Sequence, residues 1–388
     1  MFVTDLSLLD FRSYQQVDIT FEKGINLLVG KNGQGKTNIV EAIGYISTLS
    51  SHRVASDIAL VRQGAERAFV RLKACRGERN SLLELEIIAG KANRARINRS
   101  PLSRPRQISG ILKTVLFAPE DLSLVKGDPA TRRKFIDDLT VQLSPRMGAL
   151  LGDYDKVLRQ RNALLKSAVF ARRTSRSEDL RTLEVWNDKL VSLGSEIIAW
   201  RAKIVAHLKP LVKAAYHDVS SAQGEAELTY QPNVELTDFA DDAVAQAFTY
   251  QLQALAGKEI ERGVSLLGPH RDELGLTISE LPAKSHASHG ESWSLALSLK
   301  LACFHLLADP GSELWVSEYG IDAQPVLLLD DVFAELDQHR RRKLAEHIKD
   351  AQQVIITAAV LEDIPSEITG NLLKVEAGTV LSSGVKNE

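Results

Sequence analysis

The sequence predicts an α/β fold with a nucleotide-binding core, an antiparallel β subdomain beside the core and an inserted α-helical arm. Three observations predict this architecture. Residues 25–46 have the pattern of a buried strand, a glycine-rich loop and a helix, and residues 326–331 that of a second buried strand ending in two carboxylates. Between them, residues 127–217 place apolar side chains at helical spacing with few β-rich runs. The core is therefore predicted to be assembled from two distant parts of the chain.

The loop after the first strand fits the phosphate-binding pattern G-x-x-x-x-G-K-[ST]. Its residues are Gly30, Lys31, Asn32, Gly33, Gln34, Gly35, Lys36 and Thr37. The glycines let the backbone direct N–H groups inward around an anion, and the N-terminus of the following helix adds to the attraction. Lys36 can reach the β- and γ-phosphates of a nucleotide, and the Thr37 hydroxyl can hold Mg²⁺. A glycine-rich turn that matches by chance is the alternative, and the flanking strand and helix disfavour it.

Composition narrows the function classes. The chain has 388 residues, of which 44% are hydrophobic and 25% charged, as in a folded globular protein of two or three domains. Because 48 Lys and Arg residues oppose 50 Asp and Glu residues, any basic surface for nucleic acid has to be local. Two cysteines are too few for a disulfide framework or a cysteine-rich metal site. Residues 1–11 lack the basic region of a secretory signal and residues 295–308 are too short to span a bilayer, so a cytoplasmic protein without a membrane partner is expected.

Two segments have the alternating polarity of antiparallel strands. Residues 1–29 alternate as paired strands would, and residues 58–90 contain further β-rich runs suited to a layer beside the core. Residues 87–119 have no acidic residue, and the hairpin predicted there carries Arg94, Arg96 and Arg99. Such a hairpin can neutralise DNA phosphates, and a solvated basic hairpin without a partner explains the pattern equally well.

The helical segment has one strong apolar stripe. Its members repeat at three- and four-residue spacing: Leu183, Trp186, Leu190, Leu193, Ile197, Trp200 and Ile204. With a weaker match over residues 150–164, the stripe predicts an antiparallel two-helix arm about 40–50 Å long at 1.5 Å per residue. The basic segment 171–177 is predicted to be its tip. Two ordinary helices packed on a globular core are the alternative, and residues 218–257 are expected to be irregular, with no assigned function.

A second set of candidate site residues lies near the C-terminus. Residues 326–329 are aliphatic and precede Asp330 and Asp331, which is the Walker B pattern. The end of this strand would present Asp330 to Mg²⁺, and Asp331 would orient or deprotonate the attacking water. A further buried strand over residues 353–356 ends at Thr357, whose hydroxyl is predicted to sense the γ-phosphate.

A second phosphate site is predicted where Ser288 and Gly290 precede a long helix over residues 295–307. A hydroxyl, backbone N–H groups and the helix dipole would together attract phosphate there. Because the chain has one phosphate loop, this site is predicted to act in trans, on the nucleotide held by Lys36 of another copy in a C₂ dimer. A plain serine N-cap is the alternative. The turn at Asp337 would link the two sites across the interface.

The order of these motifs resembles that of ABC-type ATPases of the SMC branch. Within that branch, the short helical insertion resembles the RecF family of bacterial DNA replication and repair proteins. The stretches that resemble RecF beyond the shared motifs are residues 10–14, 117–122, 126–129, 132–137, 268–272, 297–302 and 328–337. The fold that this resemblance implies is an ABC-type P-loop ATPase head with an antiparallel β subdomain and an inserted, short coiled-coil-like arm.

The resemblance also implies a function. RecF proteins bind ATP and Mg²⁺, hydrolyse ATP slowly and dimerise on ATP. They bind DNA at single-strand gaps, at junctions of single and double strands and on duplex DNA, in the response to DNA damage (the SOS response). With RecO and RecR they help to load the recombinase RecA during repair and replication restart.

Individual positions follow or depart from the family pattern. Arg12 is implied to approach the nucleotide phosphates. The loop at residues 117–120 lies where a metal-contacting glutamine is expected and contains none. Glu291 and Trp293 stand where many relatives have Gln and Arg, so dimer contacts are expected to differ in detail. Asp331 replaces the Glu usual in ABC ATPases, and a shorter carboxylate suits slow turnover.

Three domains are predicted: an N-terminal ATPase half over residues 1–125, the arm over 126–257 and a C-terminal ATPase half over 258–388. The rival functions are a transporter ATPase subunit, an SMC-like structural DNA tether and an ATPase fused to a nuclease. A transporter subunit is disfavoured by the helical insert between the phosphate loop and the Walker B strand. The short arm without a hinge disfavours a tether, and no appended acidic metal cluster after residue 340 supports a nuclease.

Overall fold

The computed structural model describes residues 1–54, 56–173, 181–220, 224–309, 311, 314 and 324–382. The strands are β1 Phe2–Phe11, β2 Tyr14–Thr20, β3 Gly24–Val29, β4 Arg67–Arg76, β5 Arg79–Ile88, β6 Arg94–Ile97, β7 Ser100–Pro101, β8 Thr114–Phe117, β9 Ala226–Gln231, β10 Glu273–Ile278, β11 Leu281–Pro282, β12 Val326–Asp330, β13 Gln353–Ala358, β14 Asn371–Glu376 and β15 Thr379–Ser382. The helices are α1 Lys36–Thr48, α2 Leu122–Lys126, α3 Pro129–Leu143, α4 Arg146–Arg173, α5 Arg181–Val219, α6 Asp241–Arg262, α7 Ala283–His286, α8 His289–Ala308, α9 Val332–Glu335 and α10 Gln338–Ile348.

A mostly parallel, six-stranded sheet of order β15-β14-β3-β13-β12-β8 forms the core. Strands β12 and β13 are buried at every residue, as expected of parallel strands covered on both faces. Leu327 and Leu329 pack in one apolar cluster with α8, and Leu328 packs on the other side with α1. The register pairs Asp330 with Thr357, so the carboxyl ends of β12 and β13 meet beside the end of β3. This topology brings the phosphate loop and the Walker B carboxylates to one edge of the sheet, as predicted.

The predicted antiparallel layer is present as a second six-stranded sheet of order β2-β1-β4-β5-β6-β7. Strand β1 pairs with β2 on one side and with β4 on the other. Alternate residues such as Val70 and Leu72 point inward and pack with Ile39 and Ile43 of α1. The layer therefore covers the α1 side of the core and confirms the strands predicted over residues 1–29 and 58–90.

The expectation that residues 218–257 are irregular is wrong. The segment contains β9 and most of α6, and β9 pairs with β10 in a three-stranded sheet that β11 completes. The partner strand lies far downstream, so no local hairpin signal marks β9. Helix α6 buries Val244, Phe248 and Leu252 at four-residue spacing, a stripe that was present in the sequence. The predicted boundaries at 125/126 and 257/258 accordingly fall inside α2 and α6.

The arm region is built from three helices in the described part of the chain, where two were predicted. Helices α4 and α5 run antiparallel, and α6 packs against both. The reason is that the buried stripe of α5 is broader than a two-helix seam, since Val191 and Ile198 are buried beside Leu190 and Ile197. A third helix is needed to cover this wider face. The predicted tip, residues 171–177, lies mostly outside the described residues.

Helix α5 also joins the arm to the core. Its 39 residues span about 58 Å at 1.5 Å per residue, which is longer than the predicted arm. Its C-terminal half buries Leu208, Val212 and Tyr216 in the same apolar cluster as Leu297 and Leu301 of α8. Among the described helices, none combines the length and apolarity needed to cross a membrane.

Candidate nucleotide-binding site

The phosphate loop lies between β3 and α1, and two of its glycines are sterically required. A Cβ atom at Gly30 would lie 2.1 Å from the carbonyl oxygen of Val375. One at Gly35 would lie 2.5 Å from the hydroxyl of Tyr14. Gly33 and Gly35 also have positive φ angles of 81° and 108°, which residues with a Cβ rarely adopt. The loop thus takes the compact shape that the glycine pattern predicted.

Lys36 is buried at the centre of this loop. Its Nζ donates a hydrogen bond of 2.6 Å to the carbonyl of Gly30 and lies 3.4 Å from the carbonyl of Lys31 and from Oδ1 of Asn32. The side chain of Gln34 accepts a 2.6 Å hydrogen bond from the turn between β14 and β15, which ties the loop to the sheet. The loop is therefore held in place around a cationic amine, an arrangement suited to phosphate.

Two hydroxyls converge on one carboxylate oxygen at the edge of the sheet. Thr37, 293 positions earlier in the chain, donates from Oγ1 to Oδ1 of Asp330 at 3.0 Å. Thr357 donates from Oγ1 to the same oxygen at 2.7 Å. A hydroxyl beside a carboxylate fits Mg²⁺, which takes oxygen ligands and completes its shell with phosphate and water. Among the described residues no group of three or more His, Cys, Asp and Glu side chains could hold a metal, so no all-protein cage is offered there.

Asp331 lies one residue beyond the strand and has an unusual backbone. Its φ angle is 50°, in the left-handed region that costs a residue with a Cβ roughly 1 kcal/mol. Its N–H donates to Oγ1 of Thr357 at 2.9 Å. Burial raises the pKa of the Asp331 carboxyl, the charge of Asp330 adds to this, and Lys36 opposes it. A raised pKa makes the ionised carboxylate a stronger base, as the predicted role requires.

Arg12 is engaged by a buried carboxylate beside the loop. Its Nε and Nη2 donate to the two oxygens of Glu41 at 2.7 and 2.6 Å, and its Nη1 donates to the carbonyl of Ala59 at 2.9 Å. Next to it, Ser13 Oγ accepts a 2.8 Å hydrogen bond from Asn38 Nδ2. The turn between β1 and β2 is thereby clasped to α1. The approach of Arg12 to the phosphates stays a prediction, since its guanidinium contacts Glu41 here.

Ser288 is the exposed N-cap of α8. Its Oγ accepts from the N–H of Glu291 at 3.3 Å, and the Glu291 carboxylate accepts from the N–H of Ser288 at 2.8 Å, which is a capping box. Glu291, found where Gln was expected, therefore stabilises the start of the helix. Lys126 Nζ donates to the carbonyl of Ala287 at 2.6 Å and so fixes the residue that precedes the N-cap. The alternative interpretation, that Ser288 is a helix N-cap, is therefore present in the structure. Because Ser288 is exposed, a second molecule can still reach this end of the helix.

Asp337 is joined through Arg340 to the start of α8, where the second phosphate site was predicted. Asp337 caps α10 by accepting from the N–H of Arg340 at 2.9 Å. Arg340 in turn donates from Nε to Ser294 Oγ at 2.8 Å, and a Cβ at Gly290 would lie 3.1 Å from its guanidinium. The turn after Walker B and the start of α8 are thus coupled within one copy of the chain.

The strand end at β8, where a metal-contacting glutamine was expected, carries an ion pair. Asp121 lies 2.8 Å from Lys300 Nζ, which also donates to the carbonyl of Leu116 at 2.8 Å. These contacts join α8 to the edge of the core sheet. The contact to a metal that a glutamine was expected to make from residues 117–120 is not assigned to any residue of this loop.

The predicted basic hairpin is formed by β6 and β7, and glutamates on β5 reduce its charge. Arg94 lies 3.7 Å from Glu86, and Arg96 lies opposite Glu84 in the register. Arg99 is in the turn between the two strands. All three arginines are exposed, and two of them face a partly compensating carboxylate.

Sequence reasoning missed several groups that position the site. Glu41 was detectable, because a lone carboxylate on an otherwise apolar helix face requires a partner when it is buried. The roles of Tyr14, Lys126 and Arg340 were not, since each contacts a residue far along the chain or on another element. His52, which approaches Asp330, carried no pattern signal either.

Comparison with known proteins places the chain in a family. A family model described as the RecF/RecN/SMC N terminal domain matches residues 2–372. The DNA replication and repair protein RecF of Beutenbergia cavernae is 53% identical, covering 98% of this chain and 99% of that protein. The chain belongs to the RecF family. RecF of Frankia alni is likewise 53% identical, with 98% of this chain and 99% of that protein covered.

Solved structures agree with this RecF-family assignment. RecF with ATP, described as the recombination mediator of the RecFOR pathway, has a TM-score of 0.86 and 25% identity over 98% of this chain and 97% of that one. An SMC head domain from Pyrococcus furiosus has a TM-score of 0.53 and 18% identity over 98% of this chain and 96% of that one. The second likeness concerns the fold alone. The predicted fold class, an ATPase head of the RecF and SMC type, is confirmed.

Proposed function

We propose that this RecF-family chain is an ATP-dependent DNA-binding protein of recombinational repair and replication restart. It binds gapped DNA, junctions of single and double strands and duplex DNA, and acts with RecR and RecO to help load a recombinase. Slow ATP hydrolysis serves as the release switch. The relatives named above support this role, and so does the RecF–ATP structure that shares the fold.

One observation carries the ATP part of the proposal: Thr37, Asp330 and Thr357 converge beside the loop that surrounds Lys36. Lys36 would bind the β- and γ-phosphates, and Thr37 with Asp330 would hold Mg²⁺. When bound, the ion neutralises charge that develops on the transferred phosphoryl group. Asp331 would accept a proton from the attacking water. Thr357, which contacts both aspartates, would sense the γ-phosphate.

Two copies would complete two such sites. In a C₂ dimer, the exposed α8 N-terminus with Ser288 and Gly290 faces the phosphate loop of the other copy and binds the γ-phosphate there. Asp337 and Arg340 would then connect the occupied interface to Walker B within each chain. The clamp formed by the paired heads would hold the nucleic acid.

Sedimentation velocity of the wild type and of Ser288→Arg, with and without ATP and gapped DNA, tests the proposal. ATP should convert the wild type to a dimer, because the triphosphate bridges the two copies. The arginine should block pairing by filling the α8 N-terminus, and ATP binding to the monomer should remain. Ser103→Arg, an exposed change on the β subdomain, is the matched control and should still pair. ATP-dependent dimers of Ser288→Arg at wild-type affinity would contradict the trans site.

A further inference from the structure

We propose that His52 holds a Mg²⁺-bound water at the nucleotide site, supplying from the loop after α1 the contact that the loop after β8 lacks. The inference rests on the proposed function, because it assigns one more residue to the same metal. No sequence motif includes this position. Three observations carry it: an unpaired nitrogen, its distance from Asp330 and the locked loop that presents it.

The imidazole of His52 has a buried nitrogen without a partner. Its Nε2 atom is buried and makes no hydrogen bond. Leaving such a group unsatisfied costs about 1–3 kcal/mol, so a partner from outside the protein is expected. The side chain as a whole is only 16% exposed.

The distance to Walker B fits one intervening water. Nε2 of His52 lies 3.9 Å from Oδ2 of Asp330, too far for a direct hydrogen bond. Two hydrogen bonds of about 2.8 Å, meeting at a bent angle on one water oxygen, span this gap. The hydroxyls of Thr37 and Thr357 occupy Oδ1 of the same carboxylate. Oδ2 is therefore the oxygen that faces His52.

The loop that carries His52 is fixed before any ligand arrives. Ser51 Oγ donates to Oε1 of Glu41 at 2.5 Å, and it accepts from the backbone N–H groups of Arg53 at 3.0 Å and Val54 at 3.1 Å. Glu41 is the same carboxylate that binds Arg12 bidentately. The residues on both sides of His52 are thus tied to α1, and the imidazole is preorganised toward the site.

The chemistry favours a metal-bound water over direct ligation. Mg²⁺ prefers oxygen ligands and keeps several waters, so an imidazole is better placed as a partner of one of those waters. His52 also lines a cleft of about 690 Å³ that extends past Leu116, Glu120 and Lys300. The cleft therefore joins His52 to the loop after β8, where the glutamine was expected.

The test measures how much Mg²⁺ each variant needs to bind a fluorescent ATP analogue, with no turnover required. His52→Ala should raise the half-saturating Mg²⁺ concentration about 10-fold, the lower end of the effect of removing a residue that hydrogen-bonds a metal ligand. Binding of the analogue in EDTA should be unchanged, because Lys36 and the loop are intact. His52→Gln should restore most of the Mg²⁺ affinity, since an amide can also hold a bound water. His207→Ala, on α5, is the matched control and should match the wild type.

Asp330→Asn separates this inference from the proposed function. If Asp330→Asn raises the Mg²⁺ requirement and His52→Ala does not, the metal site stands and the role of His52 is refuted. If neither change alters it, the metal site itself is wrong, and the inference falls with it. A loss in EDTA as large as in Mg²⁺ would show that His52 only supports the loop, which also refutes the proposal.

Discussion

Asp331 and Asp330 are adjacent carboxylates with different contacts. Oδ1 of Asp330 accepts two hydroxyl hydrogen bonds, whereas the carboxylate of Asp331 has one longer contact, 3.3 Å from Thr357 Oγ1. The less engaged carboxylate is the better proton acceptor. Asp331→Asn should therefore lower the single-turnover rate of ATP hydrolysis about 10²–10⁴-fold and leave equilibrium ATP binding intact, because the amide keeps the shape but takes no proton.

Asp350→Asn, an exposed change after α10, is the control for this measurement and should hydrolyse ATP at the wild-type rate. Wild-type turnover by Asp331→Asn would remove Asp331 from the catalytic role. Loss of ATP binding by the variant would instead assign the residue to nucleotide binding.

A second residue-scale prediction concerns pH and the junction between arm and core. His270 Nδ1 lies 2.8 Å from the hydroxyl of Tyr154, and burial, aided by neighbouring arginines, lowers the pKa of His270 from 6.5 to about 4. Between these pH values the unfolded chain binds a proton that the folded chain does not, so folding stability is lost as pH falls through this window. The loss attributable to His270 is about 3 kcal/mol.

The measurement is the free energy of unfolding in denaturant from pH 7 to pH 4. His270→Gln should flatten the pH dependence across this window, because the glutamine does not titrate. His207→Gln keeps His270 and should retain the wild-type slope. Parallel curves for His270→Gln and the wild type would show that other groups set the acid sensitivity.

At the scale of elements, sequence patterns found those parts whose evidence is local. The phosphate loop, β12 and β13 were predicted because glycine spacing and continuous aliphatic runs are read within a few residues. Strand β9 was missed because its partner β10 lies beyond α6, and the third arm helix was missed although Val244, Phe248 and Leu252 recur every fourth residue. The structure of such segments depends on partners that are distant in the sequence. The same limit hid His52, because its proposed role depends on Asp330, which lies 278 residues further along the chain.

The packing of the arm gives an element-scale prediction. Gly194 of α5 lies where α4 and α6 pack against this helix, and a Cβ there would approach Phe248 Cε1 to 2.7 Å and Tyr154 Cε2 to 3.2 Å. Gly194→Ala should lower the free energy of unfolding by about 1–3 kcal/mol, because buried rings cannot yield without strain. Gly257→Ala in α6 is the matched control. Nothing lies within 4 Å of its Cβ position, so it should be neutral or stabilise by up to about 1 kcal/mol.

Denaturant unfolding of both glycine variants checks this prediction. Equal stability of the two would mean that α6 does not pack on α5 as described. The prediction concerns the arm alone, so ATP binding at the phosphate loop should be the same in both proteins.

The β6–β7 hairpin gives a second element-scale prediction. Its arginines are exposed, and Arg94 and Arg96 face Glu86 and Glu84. If the hairpin contacts DNA phosphates, replacing Arg94, Arg96 and Arg99 with Glu should weaken DNA binding. The negative slope of log affinity against log salt should also become less steep by about 3. ATP binding should not change. Equal DNA affinity and slope would place the DNA surface elsewhere, and the glutamates on β5 would then simply balance the hairpin's charge.

At the scale of the whole molecule, the proposed dimer makes each ATP site a product of two chains. One chain contributes Lys36, and the other contributes Ser288. A chain carrying Lys36→Ala and a chain carrying Ser288→Arg should each be inactive alone. In their heterodimer, one site carries both defects and the other carries neither, because C₂ symmetry pairs the intact Lys36 with the intact Ser288.

Mixing the two variants should therefore restore ATP hydrolysis, to at most about half of the wild-type rate per dimer, since one of two sites is intact. A chain that carries both substitutions should rescue neither single variant, because every site it forms lacks a lysine or a serine. This pattern separates action in trans from a site completed within one chain. The heterodimer has one intact interface site, so sedimentation with ATP should detect it. If the mixture stays inactive although the heterodimer forms, the α8 N-terminus does not act on the nucleotide of a second copy.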